Sequence, residues 1–136
     1  MYLVDTNVIS EIRKGNRANR GTLEFWSSVD PGTIYLSVQS IGEIRRGVEH
    51  IRNRGDTVQA KALERWLHIL IAEYSDRILA FDTDCAQVWG RLTSPGNQHI
   101  IDKQIAAIGL IHDLTLVTRN TGDFIGTGVR LINPFS

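Results

Sequence analysis

Cysteine is nearly absent from this 136-residue chain, Cys85 being the only one. An intramolecular disulfide is therefore excluded, as is a cysteine-based zinc site, and a reducing compartment fits. Long hydrophobic runs are also missing: no stretch approaches the ~20 apolar residues that a membrane span needs. The opening Met1–Ser10 has no basic n-region and only a short apolar run, so no secretory leader is expected and the reading is of a cytoplasmic protein with no membrane partner. Charge of one sign is not in excess. Fifteen Lys+Arg balance fifteen Asp+Glu, so the basic surplus of many nucleic-acid binders is not seen in the total. No GxSxG, Walker A or GxGxxG occurs, which removes the commonest serine-hydrolase and nucleotide-binding readings. There is no internal repeat, low-complexity tract or Pro/Gly/Ser-rich linker, and the chain reads as one domain over residues 1–136.

What is present suffices for a folded core: 42% of the residues are hydrophobic and 22% charged, both ordinary for globular proteins. Met1–Val4 reads as a short strand ended by the capping residues Asp5-Thr6-Asn7, with Val8, Ile9 and Ile12 following at helical spacing. A second helix around Leu23–Trp26 stops at Asp30-Pro31-Gly32. Thr33–Val38 is a strand, after which Ser40 is placed to cap a helix striped with Ile41, Ile44, Val48 and Ile51. A long helix is expected near residues 57–74, with Ala62, Leu63, Trp66, Leu67 and Leu70 facing inward. Arg77–Phe81 reads as a strand and Asp82–Leu92 as a helix. The breakers Ser94-Pro95-Gly96 precede a helix over Ile101–Ile111, then strands at Leu114–Thr118 and Gly128–Ile132. Strands alternating with helices predict βαβ units, a parallel sheet and, through right-handed crossovers, helices on both faces.

In open α/β sheets ligands bind beyond the carboxyl ends of the strands. Asp5 follows the first strand there. Glu43 lies in the first turn after the second, Asp102 opens the helix leading to the fourth, and Thr118, Asn120 and Asp123 follow that fourth strand. On a helical projection Glu43 lies on the flank of the Ile44/Val48 stripe, with Gly47 leaving space beside it. Asp102 is followed at i+4 and i+7 by Ala106 and Gly109, small residues that let the helix approach its neighbour. Clustered carboxylates repel unless a cation or protons intervene, and hard oxygen ligands suit Mg²⁺ or Mn²⁺. With no histidine pair and no CxxC, zinc is disfavoured. Such a site can activate water for in-line attack on a phosphodiester. Arg13, Lys14, Arg17 and Arg20, with Arg45 and Arg46 beside Glu43, offer positive charge for a polyanion.

Each acid also has a bland use. Asp5 can cap a helix, Glu43 can be a solvated helix residue, Asp102 can cap its own helix, and Asp123 can form a turn with Gly122. Trp26, Trp66 and Trp89 are read as core or interface anchors, and His50, His68, His99 and His112, lacking ligand spacing, as surface or packing residues. A small-molecule Mg²⁺ phosphohydrolase is a rival reading, but the only D-x-D, Asp82-Thr83-Asp84, opens a helix after a later strand.

The blocks Leu3-Val-Asp5-Thr-Asn7-Val-Ile-Ser10, Glu43-Ile44 with Gly47, Ile101-Asp102 with Ile105-Ala-Ala107, Val117-Thr-Arg-Asn-Thr-Gly-Asp-Phe124 and Ile132-Asn-Pro-Phe135 resemble, in order and over essentially the whole chain, the PIN-domain ribonucleases. More narrowly, they resemble the VapC-type toxins of bacterial type II toxin–antitoxin pairs. The resemblance implies a three-layer α/β/α domain with a parallel sheet of four or five strands and an acidic Mg²⁺ site, Mn²⁺ being a possible substitute. Asp5, Glu43 and Asp102 would be its main acids and metal ligands. In some relatives a fourth acid stands where this chain has Asn120, in others where it has Asp123; Asp123 is preferred here. Thr6, Arg45, Thr118 and Asn120 are read as substrate-binding or supporting residues. The implied activity is hydrolysis of RNA, tRNA or another structured RNA, by metal-activated water. The implied partners are a cognate antitoxin, a second copy of the chain, and operator DNA only through the antitoxin. A catalytically silent scaffold of the same fold is the alternative.

Overall fold

The computed structural model describes residues 1–94, 96 and 98–136. Five short strands, β1 (Tyr2–Val4), β2 (Ile34–Ser37), β3 (Ile78–Leu79), β4 (Thr115–Val117) and β5 (Leu131–Ile132), form one parallel sheet in the order β3-β2-β1-β4-β5. Among the described residues six α-helices surround it: α1 (Thr6–Ile12), α2 (Arg20–Ser28), α3 (Val38–Asn53), α4 (Thr57–Glu73), α5 (Thr83–Thr93) and α6 (Ile100–Ile111).

The strands alternate, so each serves both faces. Leu3 and Leu116 point into a core with Cys85 of α5, Ile105, Ala106 and Ile108 of α6, and Phe124. Their neighbours Val4 and Val117 point into the opposite core with Val8 and Ile9 of α1, Ile44 of α3, and Leu67 and Leu70 of α4. The result is the expected α/β/α sandwich, with α1 to α4 on one side and α5 and α6 on the other. At Gly109 the stripe of small residues allows α6 to lie close: an added Cβ would stand 3.1 Å from Val129 Cγ2 and 3.7 Å from Leu3 Cδ2.

Local details differ from the sequence reading. The strands are shorter than their apolar runs: β2 ends at Ser37 because Val38 already begins α3, while β3 keeps only Ile78–Leu79 and β5 only Leu131–Ile132. Ser37, not Ser40, caps α3, accepting from the Ser40 N–H at 3.1 Å. Ser40 sits buried in the first turn instead. On α4 the fully buried side chains are Ala60 and Leu67, whereas Ala62, Leu63 and Trp66 are half-buried. The expected break at Ser94-Pro95-Gly96 lies partly outside the described residues, since Pro95 does. Thr121–Phe124 forms a 3₁₀ turn carrying Asp123. Among the described residues no helix is long and apolar enough to cross a membrane.

Candidate active site

β1 has β2 on one side and β4 on the other, so the chain reverses its direction of travel across the sheet at β1/β4 and a crevice opens at the strands' carboxyl ends. Asp5 and Thr118 sit there as the first residues beyond β1 and β4, tied by the Asp5 N–H to the Val117 carbonyl at 2.9 Å. Asp5 is 5% exposed. Its carboxylate accepts from the Thr6 N–H (2.8 Å), the buried Thr118 hydroxyl (2.8 Å) and Asn7 Nδ2 (3.3 Å). Asn7 also accepts from the Arg119 N–H at 3.0 Å, and Thr118 Oγ1 accepts from the Asn120 N–H at 3.1 Å. Burial pushes the Asp5 carboxyl above its ordinary range, opposed by the Thr118 and Thr6 hydrogen bonds and reinforced by the Glu43 charge.

Glu43 comes from α3. It accepts from Thr6 Oγ1 at 2.7 Å, and the same hydroxyl lies 2.8 Å from Ser40 Oγ. Thr6 therefore joins α1 to α3 and holds Glu43 towards the sheet edge. Beside Glu43, Gly47 leaves an open groove with a cavity volume of about 370 Å³, lined by Glu43, Arg46, Gly47 and His50. Asp102, in the first turn of α6, faces the same crevice from the other layer. Its carboxyl is raised to about 6, first by burial and then by the charges of Asp5, Asp123 and Glu43, with His99 opposing. All four acids thus share one electrostatic neighbourhood.

The structure brings Asp5, Thr6, Glu43, Asp102, Thr118 and Asp123 together, but two other candidates stand differently. Asn120 lies beside Thr118 through its backbone, and its exposed side chain caps nothing. Arg45 is turned away: its guanidinium pairs with Glu49, at 3.1 Å, and with Glu64 of α4. Arg46, one residue and about 100° further round the helix, is the one that lines the groove. Three residues were not singled out from sequence. Ser40 was read as a cap and Asn7 as part of a capping cluster. His99 is expected at the surface or in packing; its side chain is half-exposed, and its ring nitrogens lie 3.8 Å from Asp102 and 3.7 Å from Asp123.

The donor set fits a divalent cation. Hard carboxylate oxygens converge on a partly buried crevice, and the repulsion that adds to burial in raising Asp102 is what a cation would relieve. Fold and site together define a class: α/β domains with a metal-competent acidic edge at the sheet's switch point. Within it, the chain belongs to the PIN-domain family, whose model matches residues 2–127. It is 32% identical over 141 residues to the toxin FitB of Neisseria gonorrhoeae, covering 99% of each chain. It is 29% identical over 141 residues to the VapC ribonuclease Y4jK of Sinorhizobium fredii, covering 99% of this chain and 98% of that one. Among solved structures, that of FitAB bound to an IR36 DNA fragment superposes with a TM-score of 0.82 at 30% identity, over 100% of this chain and 96% of that one.

Proposed function

We propose that this protein is a Mg²⁺-dependent endoribonuclease, the toxin of a toxin–antitoxin pair. The observation that carries the reading is the meeting of Asp5, Glu43, Asp102 and Asp123 at one crevice, where burial first and then the charges of the other three raise the Asp102 carboxyl. Kinship to a VapC ribonuclease and to the FitB toxin supports it.

Asp5, Glu43 and Asp102 would hold the ion, with Mn²⁺ as a possible substitute and Asp123 at the rim. The chemistry that a bound divalent ion supplies is activation of water and neutralisation of charge on the phosphodiester. The chain's own work is positioning. Thr118, Asn7 and the Thr6 N–H fix the Asp5 carboxylate, and the Thr6 hydroxyl fixes Glu43. Arg46, at the groove beside Glu43, is placed to take an RNA phosphate. The partner is a cognate antitoxin through which operator DNA is reached, in keeping with the solved FitAB–DNA complex. A groove between α1, α2 and α4, with Ile9, Ile12, Trp26 and Trp66 along it and the charged Arg13 and Glu73 among its lining, offers such a partner a seat.

The test is cleavage of total RNA by purified, partner-free protein with Mg²⁺ or EDTA, beside Asp5→Asn. Discrete fragments are expected with Mg²⁺ and not with EDTA, and at least a hundredfold less product from the variant, the scale seen when a group acting on the transition state is lost. Normal cleavage by Asp5→Asn would remove the proposed site, and a folded wild type that cuts nothing with any metal would favour the silent scaffold.

A further inference from the structure

His99 occupies the N-cap position of α6 in a left-handed conformation (φ 54°, ψ 48°), and its side chain makes no capping hydrogen bond. This conformation is uncommon outside glycine, although His is among the residues that tolerate it. The ring lies between two acids: Nδ1 is 3.8 Å from Asp102 Oδ2, and Nε2 is 3.7 Å from Asp123 Oδ1. Both gaps are too long for hydrogen bonds. One donor atom each from His99, Asp102 and Asp123 nonetheless falls within 4.8 Å of the others. Ligands held about 2.1 Å from a common ion sit roughly 3–4 Å apart. Small rotations therefore bring the three onto one ion, and at 46% exposure the His99 side chain is free to make them.

We propose that His99 is a nitrogen ligand which, with Asp102 and Asp123, gives the acidic site a mixed N/O donor set and a preference for Mn²⁺ and later first-row ions over Mg²⁺. The inference rests on the metal-site reading above and deepens it. Mg²⁺ gains little from an imidazole, because it prefers oxygen donors and keeps its waters. Transition ions gain more from nitrogen, increasingly from Mn²⁺ through Co²⁺. A site of carboxylates alone would discriminate less, so one residue sets the choice of ion. His99 also explains how a half-exposed, left-handed residue finds a use at the crevice rather than in packing.

His99→Asn tests this, since Asn tolerates left-handed backbone and the entry to α6 is kept. Metal-free wild type, His99→Asn and Asp5→Asn are titrated calorimetrically with Mg²⁺ and with Mn²⁺, and the visible ligand-field band of bound Co²⁺ is recorded. Wild type is expected to prefer Mn²⁺. His99→Asn is expected to lose roughly tenfold or more of its Mn²⁺ affinity, at least what removing a supporting residue costs a metal site, with a much smaller change for Mg²⁺ and a shifted Co²⁺ band. An unchanged Mn²⁺/Mg²⁺ ratio and Co²⁺ band overturn the assignment. So does an equal loss for both ions, which is what displaced carboxylates rather than a lost nitrogen ligand would give. In either case loss of both ions in Asp5→Asn leaves the carboxylate site standing. Wild type that binds neither ion overturns this proposal and the metal-site reading together.

Discussion

At Asp102 burial and three neighbouring carboxylates all act against ionisation, and the outcome is a carboxyl raised from the ordinary 3.8 to about 6. The sign follows directly. Below pH 3.8 the group is protonated whether the chain is folded or not. As pH rises from 3.8 through about 6 the unfolded chain ionises freely while the folded one resists, so folding stability is lost across that window in the metal-free protein. With its side chain 27% exposed, solvent reduces the penalty, to about 2 kcal/mol above pH 6. Asp102→Asn is therefore expected to stabilise the metal-free protein by about that much at pH 7.5 and by almost nothing near pH 4. Urea unfolding at the two pH values measures it, and a gain independent of pH would count against crowding as the cause. The residue scale is also where function and stability pull apart, because the arrangement that weakens the bare fold is the one that recruits a cation.

Among the elements, α3 and α6 carry the acids of the two helical layers and use glycine in opposite ways. Gly47 on α3 faces open space, with nothing within 4 Å of an added Cβ. Gly109 on α6 meets Val129, Leu3 and the Leu114 carbonyl. Gly47→Ala is accordingly expected to raise stability by about 0.5–1 kcal/mol, the usual gain of alanine over glycine inside a helix. Gly109→Val is expected to lower it by about 1–3 kcal/mol, the usual cost of overpacking. Thermal denaturation of both variants checks the pair, and a tolerated Gly109→Val would mean that α6 does not depend on close approach. A larger side chain at position 47 would instead fill the groove beside Glu43, touching substrate entry rather than folding. The salt-bridge network of Arg45, Glu49, Arg52 and Glu64 belongs to this scale too. It joins α3 to α4 and so accounts for why Arg45 is not at the crevice.

For the whole molecule the acidic edge makes stability a function of metal concentration. An ion that binds only the folded chain stabilises it by RT ln(1 + [M]/Kd), about 2.7 kcal/mol at a hundredfold excess over Kd. Melting curves are expected to rise with added Mg²⁺ or Mn²⁺ and fall back with EDTA, and Asp5→Asn is expected to lose the response. Indifference of the wild-type curve to both ions would contradict the site. The groove across α1, α2 and α4 lies on the layer opposite α5 and α6, so a partner seated there would contact the face that contributes Glu43 and leave the Asp102 helix exposed.

The primary structure determined the alternation of strands and helices, the acids at strand ends, and the stripe of small residues on α6. These are local properties: hydrophobic period, capping chemistry and side-chain volume can be read without knowing what lies across the sheet. Asp5 and Thr118 were legible because β1 and β4 both end in polar residues, and Glu43 because helical phase puts it on the flank of an apolar stripe. Tertiary structure alone decided the rest. Whether Arg45 or Arg46 faces the groove depends on where α4 packs, since adjacent helix residues differ by about 100° and either flank is equally polar in sequence. Ser40 entered the site because the α3 cap fell on Ser37, a shift of three residues that pattern reading does not resolve. His99 met Asp123 from 24 positions away, through a left-handed turn at the start of α6 and a 3₁₀ turn after β4. No spacing rule reports that meeting, because the two side chains are brought together by the packing of α6 on β4 and on the turn that follows it.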